Sequence, residues 1–378
     1  MQRAGASAPE SGWSCERLAT ARAEGKSVMH EPETNPINSP AATVAQADQA
    51  LRPLRERVAW SALQYAIAPS ANRLSYMLGG LTFFGLVLLV LTGIVLDQYY
   101  DPSPLGAHDS IVYILTRVPL GTWVRALHYW GASIVLVSVF LHLIYVFWRR
   151  SYLPPREITW LSGATMLLLL FALAFTGSVL RADQEGGEAL AHAVAGAELV
   201  GSVGAPLTPE FAASTSLLAR LHAAHVSLLP LALFAVLALH FWLIRHLGIH
   251  TGEAKSAVFT THLRRLSAYG LLLWSGIGVL AAAAAPGIGF PAVSGVEVTK
   301  PFWPFLWIYA AENTIGIRGM ILAPLVLFAF LFLVPALDRR HERARPRWFT
   351  ALAILILAVF AAAFVYGVFA PQMQHLGM

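Results

Sequence analysis

The sequence is cut into seven apolar blocks of about 20 residues each, and nothing else in it constrains the fold so tightly. A helix needs that length to cross a hydrocarbon core of roughly 30 Å, and soluble cores are not assembled from such runs. Inside lipid the backbone N–H and C=O groups must be satisfied within the structure itself, which leaves helices for spans of this kind. The blocks predict spans at roughly 76–98, 123–148, 159–180, 216–244, 266–286, 319–337 and 348–370. Composition agrees: hydrophobic residues fill 57% of 378 positions and charged residues only 12%, against about 25% charge in a soluble domain. The expected fold is an all-α integral membrane protein with seven transmembrane helices.

The charge pattern orients the chain. Loop 149–157 holds Arg149, Arg150 and Arg156 against Glu157, and loop 338–347 holds Arg339, Arg340, Arg343, Arg345 and Arg347 against Asp338 and Glu342. Around 245–265 come Arg245, Lys255, Arg264 and Arg265, whereas 181–215 carries Arg181 against Asp183, Glu185, Glu188, Glu198 and Glu210. Short cytoplasmic loops collect Lys and Arg, so the basic loops and the N-terminus are expected in the cytoplasm and the C-terminus on the outer side. This placement accounts for the net charge of +5 without nucleic acid as a partner. Residues 1–58 read as a flexible tail with no apolar signal-peptide core. The single cysteine, Cys15, excludes an internal disulfide framework and a cysteine-based metal cluster. A change of character near 250–265 divides the spans into a four-helix domain, 59–250, and a three-helix C-terminal domain, 251–378. The outer loops 99–122, 181–215 and 287–318 are long, and loops of that length are commonly functional. The last, with Pro301, Trp303, Pro304 and Trp307, is expected to fold back along the membrane surface.

Histidines inside a membrane are costly without a role or a partner. His128 and His142 lie fourteen residues apart on the second span, and His225 and His240 fifteen apart on the fourth. At about 100° and 1.5 Å per residue, each pair returns to one helix face within about 40–60° and is separated by roughly 21 Å. The two spans run in the same direction, so His128 shares a level with His225, and His142 with His240. Two imidazoles facing each other at one level can take both axial positions of a haem iron. A core histidine bonded to a carbonyl explains any one of them more simply; four at matched depths favour ligation. His222 competes with His225, because its interval of eighteen residues to His240 also returns to one face; depth favours His225 by a small margin. Gly79 and Gly93 on the first span, and Gly163 and Gly177 on the third, repeat the interval of fourteen. Glycine lets a backbone approach a flat macrocycle, although small-residue helix packing explains any single one.

These segments resemble a known family, cytochrome b of the quinol-oxidising bc-type complexes, and most closely its plastid-type form with the four-helix chain and the three-helix subunit fused. The likeness is carried by WVRALHYWGAS around His128, LHLIYVFWRRSY around His142, PREITW at 155–160 and LHAAHVSLLPLALFAVLALHFWLIRHLGIHTG. Alignment through VSLLPL and HFWLIR places the ligand at His225. The resemblance implies two b haems, with His128 and His225 on the outer, low-potential one and His142 and His240 on the inner, high-potential one. It implies that Arg125 meets a propionate of the outer haem and that Arg245 lies near an inner quinone site, with His246 and His250 as possible proton donors; binding anionic lipid is an equal reading of those three. It also implies a Rieske-type iron–sulfur protein and a cytochrome c-type subunit, or equivalent redox partners, a homodimeric complex, quinone as substrate, and a bacterial-type inner membrane.

Three departures stand out. The family's Pro-Glu-Trp-Tyr reads Pro301-Phe302-Trp303-Pro304 here, so the proton acceptor has to be another acid: Glu312 first, then Glu297 and Asp183. The family's haem-tethering cysteine aligns with Met77, which predicts no covalent haem. The tripeptide Leu-Pro-Trp becomes Leu180-Arg181-Ala182, which alters the outer quinone pocket. The expected activity is branched quinol oxidation at the outer side with transfer to an inner quinone. The alternatives are a dihaem conduit serving another respiratory complex, and a non-enzymatic anchor or transporter, although the broken helices and inverted repeats of transporters are not evident.

Overall fold

The computed structural model describes residues 60–338 and 345–376, together with isolated positions 49, 52 and 56. Cys15, most of the expected N-terminal tail, and Arg339, Arg340, Glu342 and Arg343 lie outside the described residues. One compact unit begins at Leu63. Its helices are α1 (Leu74–Asp97), α2 (Ala107–Thr116), α3 (Gly121–Trp148), α4 (Glu157–Val179), α5 (Gln184–Leu199), α6 (Leu217–Leu247), α7 (Phe259–Ala283), α8 (Leu306–Ile315), α9 (Ile317–Leu337) and α10 (Arg347–Phe369). Seven of them, α1, α3, α4, α6, α7, α9 and α10, are long and apolar enough to cross a membrane. Two short strands, β1 (Ala66–Ile67) and β2 (Ala257–Val258), pair antiparallel just before α1 and α7.

The spans fall where the apolar blocks predict, with one informative difference. α7 begins at Phe259 rather than near 266, because its first turns carry His262, Arg264 and Arg265. Those residues interrupt the apolar run without interrupting helical hydrogen bonding. The long loops are also more ordered than their sequence suggests: 99–122 contains α2, 181–215 contains α5, and 287–318 contains α8.

α6 is not uniform. Residues Ala224–Leu228 form a single π-turn, followed by Pro230 within the next helical turn. Proline has no N–H to return to the preceding turn and its ring crowds that turn's carbonyl. A widened i→i+5 turn relieves both conflicts by absorbing one extra residue.

Packing sorts the first four spans into pairs, α1 with α3 and α4 with α6. The remaining three do not form a bundle of their own. α7 lies on α1 and α3, held by indole N–H groups: Trp274 donates to Phe84 O (2.8 Å), Trp123 to Gly278 O (3.0 Å) and Trp130 to Ala284 O (2.7 Å). α9 lies on the other side, against α4 and α5, with Trp160 of α4 donating to Leu331 O at 2.7 Å. α8 joins α9 to α10. The division near residue 250 is thus a proposal about chain organisation, because in space the last three spans flank the first four. Loop 287–302 is pinned along α5 by two of its side chains. Gln184 accepts from Val293 N (2.7 Å) and donates to Val296 O (2.7 Å), and Glu188 accepts from Val298 N, Thr299 N and the Thr299 hydroxyl.

At the end of α9 the fully buried carboxylate of Asp338 accepts from Arg150 Nε (3.0 Å) and Nη2 (2.8 Å) and from the Tyr152 hydroxyl (2.7 Å). It ties the α3–α4 turn to the sixth span. Removing one partner of a buried ion pair leaves a desolvated charge and costs about 3–5 kcal/mol. Asp338→Ala should therefore lower the thermal unfolding midpoint of the detergent-solubilised protein clearly, and Asp338→Asn, which keeps an acceptor oxygen, should lower it less. An alanine variant as stable as the parent would show that the cluster contributes nothing.

Candidate functional site

The helix pairs bring each histidine onto a glycine of its neighbour. A Cβ added at Gly93 would stand 3.3 Å from the His128 ring and one at Gly79 3.1 Å from the His142 ring. At Gly177 it would stand 3.0 Å from His225 and at Gly163 3.8 Å from His240. Among protein atoms, then, the missing side chain clears the imidazole itself, which the sequence argument about macrocycle clearance does not anticipate. Across the bundle, the His128 and His225 rings face each other with centroids 6.4 Å apart.

Three hydroxyls absent from the sequence argument complete the arrangement. Thr92 Oγ1 lies 3.0 Å from His128 Nδ1, Thr176 Oγ1 2.8 Å from His225 Nδ1, and Ser162 Oγ 2.9 Å from His240 Nδ1. Each hydroxyl already donates its one proton to a carbonyl of its own helix: Thr92 to Leu88 O, Thr176 to Ala172 O and Ser162 to Thr159 O. It can only accept from the ring. Nδ1 therefore carries the proton in these three histidines, and the Nε2 lone pair is left for a metal. Each hydroxyl residue directly precedes its glycine, so a Ser/Thr-Gly dipeptide is the signal that could have found it. Gly79 follows Leu78 instead, and His142 Nδ1 is buried with no hydrogen-bond partner among the described residues.

The π-turn bears directly on the histidine spacing. One residue absorbed between His225 and His240 reduces their interval of fifteen to an effective fourteen, that of His128 and His142. His222 is engaged elsewhere: its Nε2 meets Asp97 Oδ1 at 2.8 Å and its ring stacks on Tyr100 at 5.3 Å.

A cavity of about 360 Å³ opens between the bundle helices at the level of His128 and His225, lined also by Arg125, Tyr129, Arg181, His222 and Phe302. Arg125 donates to Pro286 O (2.7 Å) and Gly287 O (3.3 Å), while Arg181 pairs with Asp183 and Glu185. Phe302, at the position of the family acid, packs on Tyr129 with ring centroids 5.4 Å apart. These residues fit a bis-imidazole haem. Two metal–nitrogen bonds of about 2.0 Å each, plus roughly 1.1 Å from each nitrogen to its ring centre, come close to the observed ring separation. Nε2 is left available at both rings, and two guanidiniums at the cavity wall can meet propionates.

The three candidate acids differ in what binds them. Asp183 caps the N-terminus of α5 by accepting from Gly186 N (3.1 Å), and it also accepts from Gly289 N (3.1 Å) and Arg181. Glu297 accepts from His375 N and Leu376 N. Glu312 is buried, its Oε1 has no hydrogen-bond partner among the described residues, and it lies 3.4 Å from His192 Nε2. Burial pushes the Glu312 carboxyl above its usual range, against the opposing pull of His192 and His375. At the other end of the bundle, Arg245 lies over the Tyr65 ring at 3.8 Å. His250 is held below its usual range by partial burial and by Arg156 and Arg149. Arg156 donates to Leu247 O and Gly248 O at the end of α6, satisfying carbonyls left open there.

Comparison with known proteins places this geometry in context. The family model Cytochrome b/b6/petB matches residues 63–248, a range that includes all four histidines. The menaquinol:cytochrome c reductase cytochrome b subunit of Geobacillus thermodenitrificans is 38% identical over 180 residues, 46% of this chain and 80% of that protein. The cytochrome bc complex cytochrome b subunit of Chlorobaculum thiosulfatiphilum is 32% identical over 309 residues, 75% of this chain and 71% of that protein. Cytochrome b6 of Heliobacterium mobile is 35% identical over 200 residues, 51% of this chain and 92% of that protein. A chain of a hyperthermophilic respiratory Complex III shares the fold, with a TM-score of 0.72, 22% identity, and coverage of 88% of this chain and 93% of that one.

Hydrogen bonds that orient a ligating histidine are worth about 10–100-fold in metal affinity. Thr176→Val, which removes the acceptor for the His225 ring proton while keeping the shape, should lower haem retention in the purified protein. Leu78→Thr, which offers His142 the same kind of partner, should not lower it. The haem-to-protein ratio by pyridine haemochrome absorbance reads both, and full retention in Thr176→Val would show that the hydroxyl does not orient a ligand.

Proposed function

This chain belongs to the cytochrome b/b6 family, and from that premise we propose that it is the dihaem subunit of a bc-type quinol:cytochrome c reductase that oxidises quinol at the outer side of a bacterial-type inner membrane. The observation that carries the reading is the set of four intramembrane histidines on two helices, three of them held by hydroxyls with Nε2 left for a metal. His128 and His225 would hold one haem, and His142 and His240 the other. Haem b bound at both levels would supply a one-electron path across the bilayer.

The chain's own residues do the rest. Paired helices bury the imidazoles away from water, and glycines let the rings sit close to the helix backbones. Arg125 and Arg181 set positive charge at the wall of the outer cavity. Glu312 is the proposed proton acceptor, since it alone of the three acids has an oxygen without a partner; Glu297 and Asp183 are bonded to backbone and arginine. Arg245, His246 and His250 stand at the level of an inner quinone. The N-terminus would lie in the cytoplasm and the C-terminus outside, with a Rieske-type iron–sulfur protein and a cytochrome c-type subunit as redox partners in a homodimeric complex. A second reading, a dihaem conduit without branched oxidation, is favoured by Phe302, which puts an apolar ring in the cavity at the position of the family acid.

A redox titration of the purified complex separates these. Two b-haem waves, with reduction by a menaquinol analogue blocked by an outer-site inhibitor, are expected. Two waves without any inhibitor effect would favour the conduit, and fewer than two would overturn the histidine assignment. Glu312→Gln should slow quinol-driven haem reduction by at least about a hundredfold, the lower range for a lost proton acceptor, with both haem waves retained. An unchanged rate would remove Glu312 from the mechanism.

A further inference from the structure

Beyond the haem bundle, four side chains from four separate stretches converge on the Glu312 face: His192 of α5, Glu297 of the loop after α7, Glu312 of α8, and His375 in the segment after α10. Their side chains are 16%, 4%, 5% and 7% exposed, respectively. One ligand atom each from His192, Glu297 and His375 lies within 4.8 Å of the other two. The rings of His192 and His375 are 6.1 Å apart, centre to centre, and nearly perpendicular.

Hydrogen-bond accounting shows what such a centre lacks. His192 Nδ1 faces the Glu188 carbonyl at 2.8 Å. A carbonyl only accepts, so in the neutral ring Nδ1 holds the proton and Nε2 turns a lone pair towards Glu312 Oε1. That oxygen has no hydrogen-bond partner among the described residues, nor does either ring nitrogen of His375. Both Glu297 oxygens accept a backbone N–H, from His375 (2.6 Å) and Leu376 (2.8 Å), and each keeps a second lone pair. Buried polar atoms are normally paired. A proton shared between His192 and Glu312 would satisfy one contact and leave the two His375 nitrogens unpaired.

We propose that His192, Glu297 and His375 bind a divalent transition-metal cation, with Glu312 beside the site and outside its ligand set. Two imidazoles and one carboxylate suit Zn²⁺ with one coordination position left open, and ligand atoms within 4.8 Å of one another draw together to about 3.4 Å in tetrahedral geometry. Glu188 prepares the site twice, because its carbonyl fixes the His192 tautomer while its carboxylate orders residues 298 and 299 next to Glu297. The bound cation fastens the C-terminal segment to α5 and to the loop after α7. This site rests on its own geometry and not on the quinol reading.

The test is metal analysis of the purified complex, stripped with chelator and titrated with Zn²⁺, and with Co²⁺ as the spectroscopic probe. One tightly held cation per chain beyond the haem iron is expected, with Co²⁺ absorption typical of a tetrahedral nitrogen and oxygen site. His375→Ala should lower affinity by more than tenfold, since even indirect ligand contacts cost about that much, and should leave the haem spectrum unchanged. Equal affinity in parent and variant, or no retained cation in the parent, would overturn the proposal. Should His375→Ala fail to assemble, X-ray absorption of the Zn²⁺-loaded parent decides: two imidazole ligands support the site, and a shell of oxygen alone refutes it.

Discussion

Each imidazole inside a bilayer has to place one ring proton, and the architecture follows from how that is done. A hydroxyl whose own proton is spent on a helical carbonyl is an acceptor with no other option, so it fixes the tautomer of the ring it meets. To reach that ring the hydroxyl must sit on an adjacent helix at very close range. At Gly93 and Gly177 the next residue along that helix has no room for a Cβ without pressing on the imidazole, whereas at Gly163 a Cβ would stand in ordinary contact at 3.8 Å. This demand accounts for three of the four histidine–glycine contacts between α1 and α3 and between α4 and α6, while Gly79 and His142 meet without a hydroxyl. Ordinary apolar packing fills the remaining space, as in the cluster of Tyr152, Trp160, Phe171 and Phe349.

The end of the bundle around α5 is organised differently, by polar side chains that act on backbone. Asp183, Gln184 and Glu188 at the start of α5 between them hold residues 289–299 in place. The loop therefore has a defined course without regular secondary structure of its own before α8. Arg181 takes part in this network while also lining the outer cavity. Where the family pattern has proline and tryptophan after the third span, this chain substitutes an ion-pair network, and where it has an acid it substitutes Phe302. The two departures border the same cavity, so they belong to one altered pocket.

Much of this was legible in the sequence. Hydropathy blocks located the seven spans because a bilayer imposes length directly. The periodic histidines and glycines marked the bundle because helical geometry is regular. What stayed hidden has physical causes. The π-turn leaves no simple mark beyond Pro230, yet it decides that an interval of fifteen behaves as fourteen. Thr92, Ser162 and Thr176 look like ordinary small helix residues until the facing ring is known. α7 starts earlier than hydropathy suggests because Arg264 and Arg265 in its second turn interrupt the apolar run. The flanking arrangement of the last three spans was not legible either, because membrane helices can pack on any apolar neighbour and loop sequence does not say which. Glu297 and Glu312 are visible in the sequence only as acids, because their convergence with His192 and His375 depends on four distant stretches meeting.

Leu78 stands where the other three glycines have a hydroxyl neighbour, and the difference divides the membrane into unequal halves. Under the proposed assignment, both imidazoles of the outer level donate a ring hydrogen bond, whereas at the inner level only His240 does. Such bonds raise the basicity of a ligand, and a more basic axial pair favours the oxidised metal. Under that assignment the outer pair would grip an electron less firmly than the inner pair. A single leucine would thus tilt the proposed path, giving an electron that entered at the outer level a driving force towards the inner one before any difference in burial or solvent is counted.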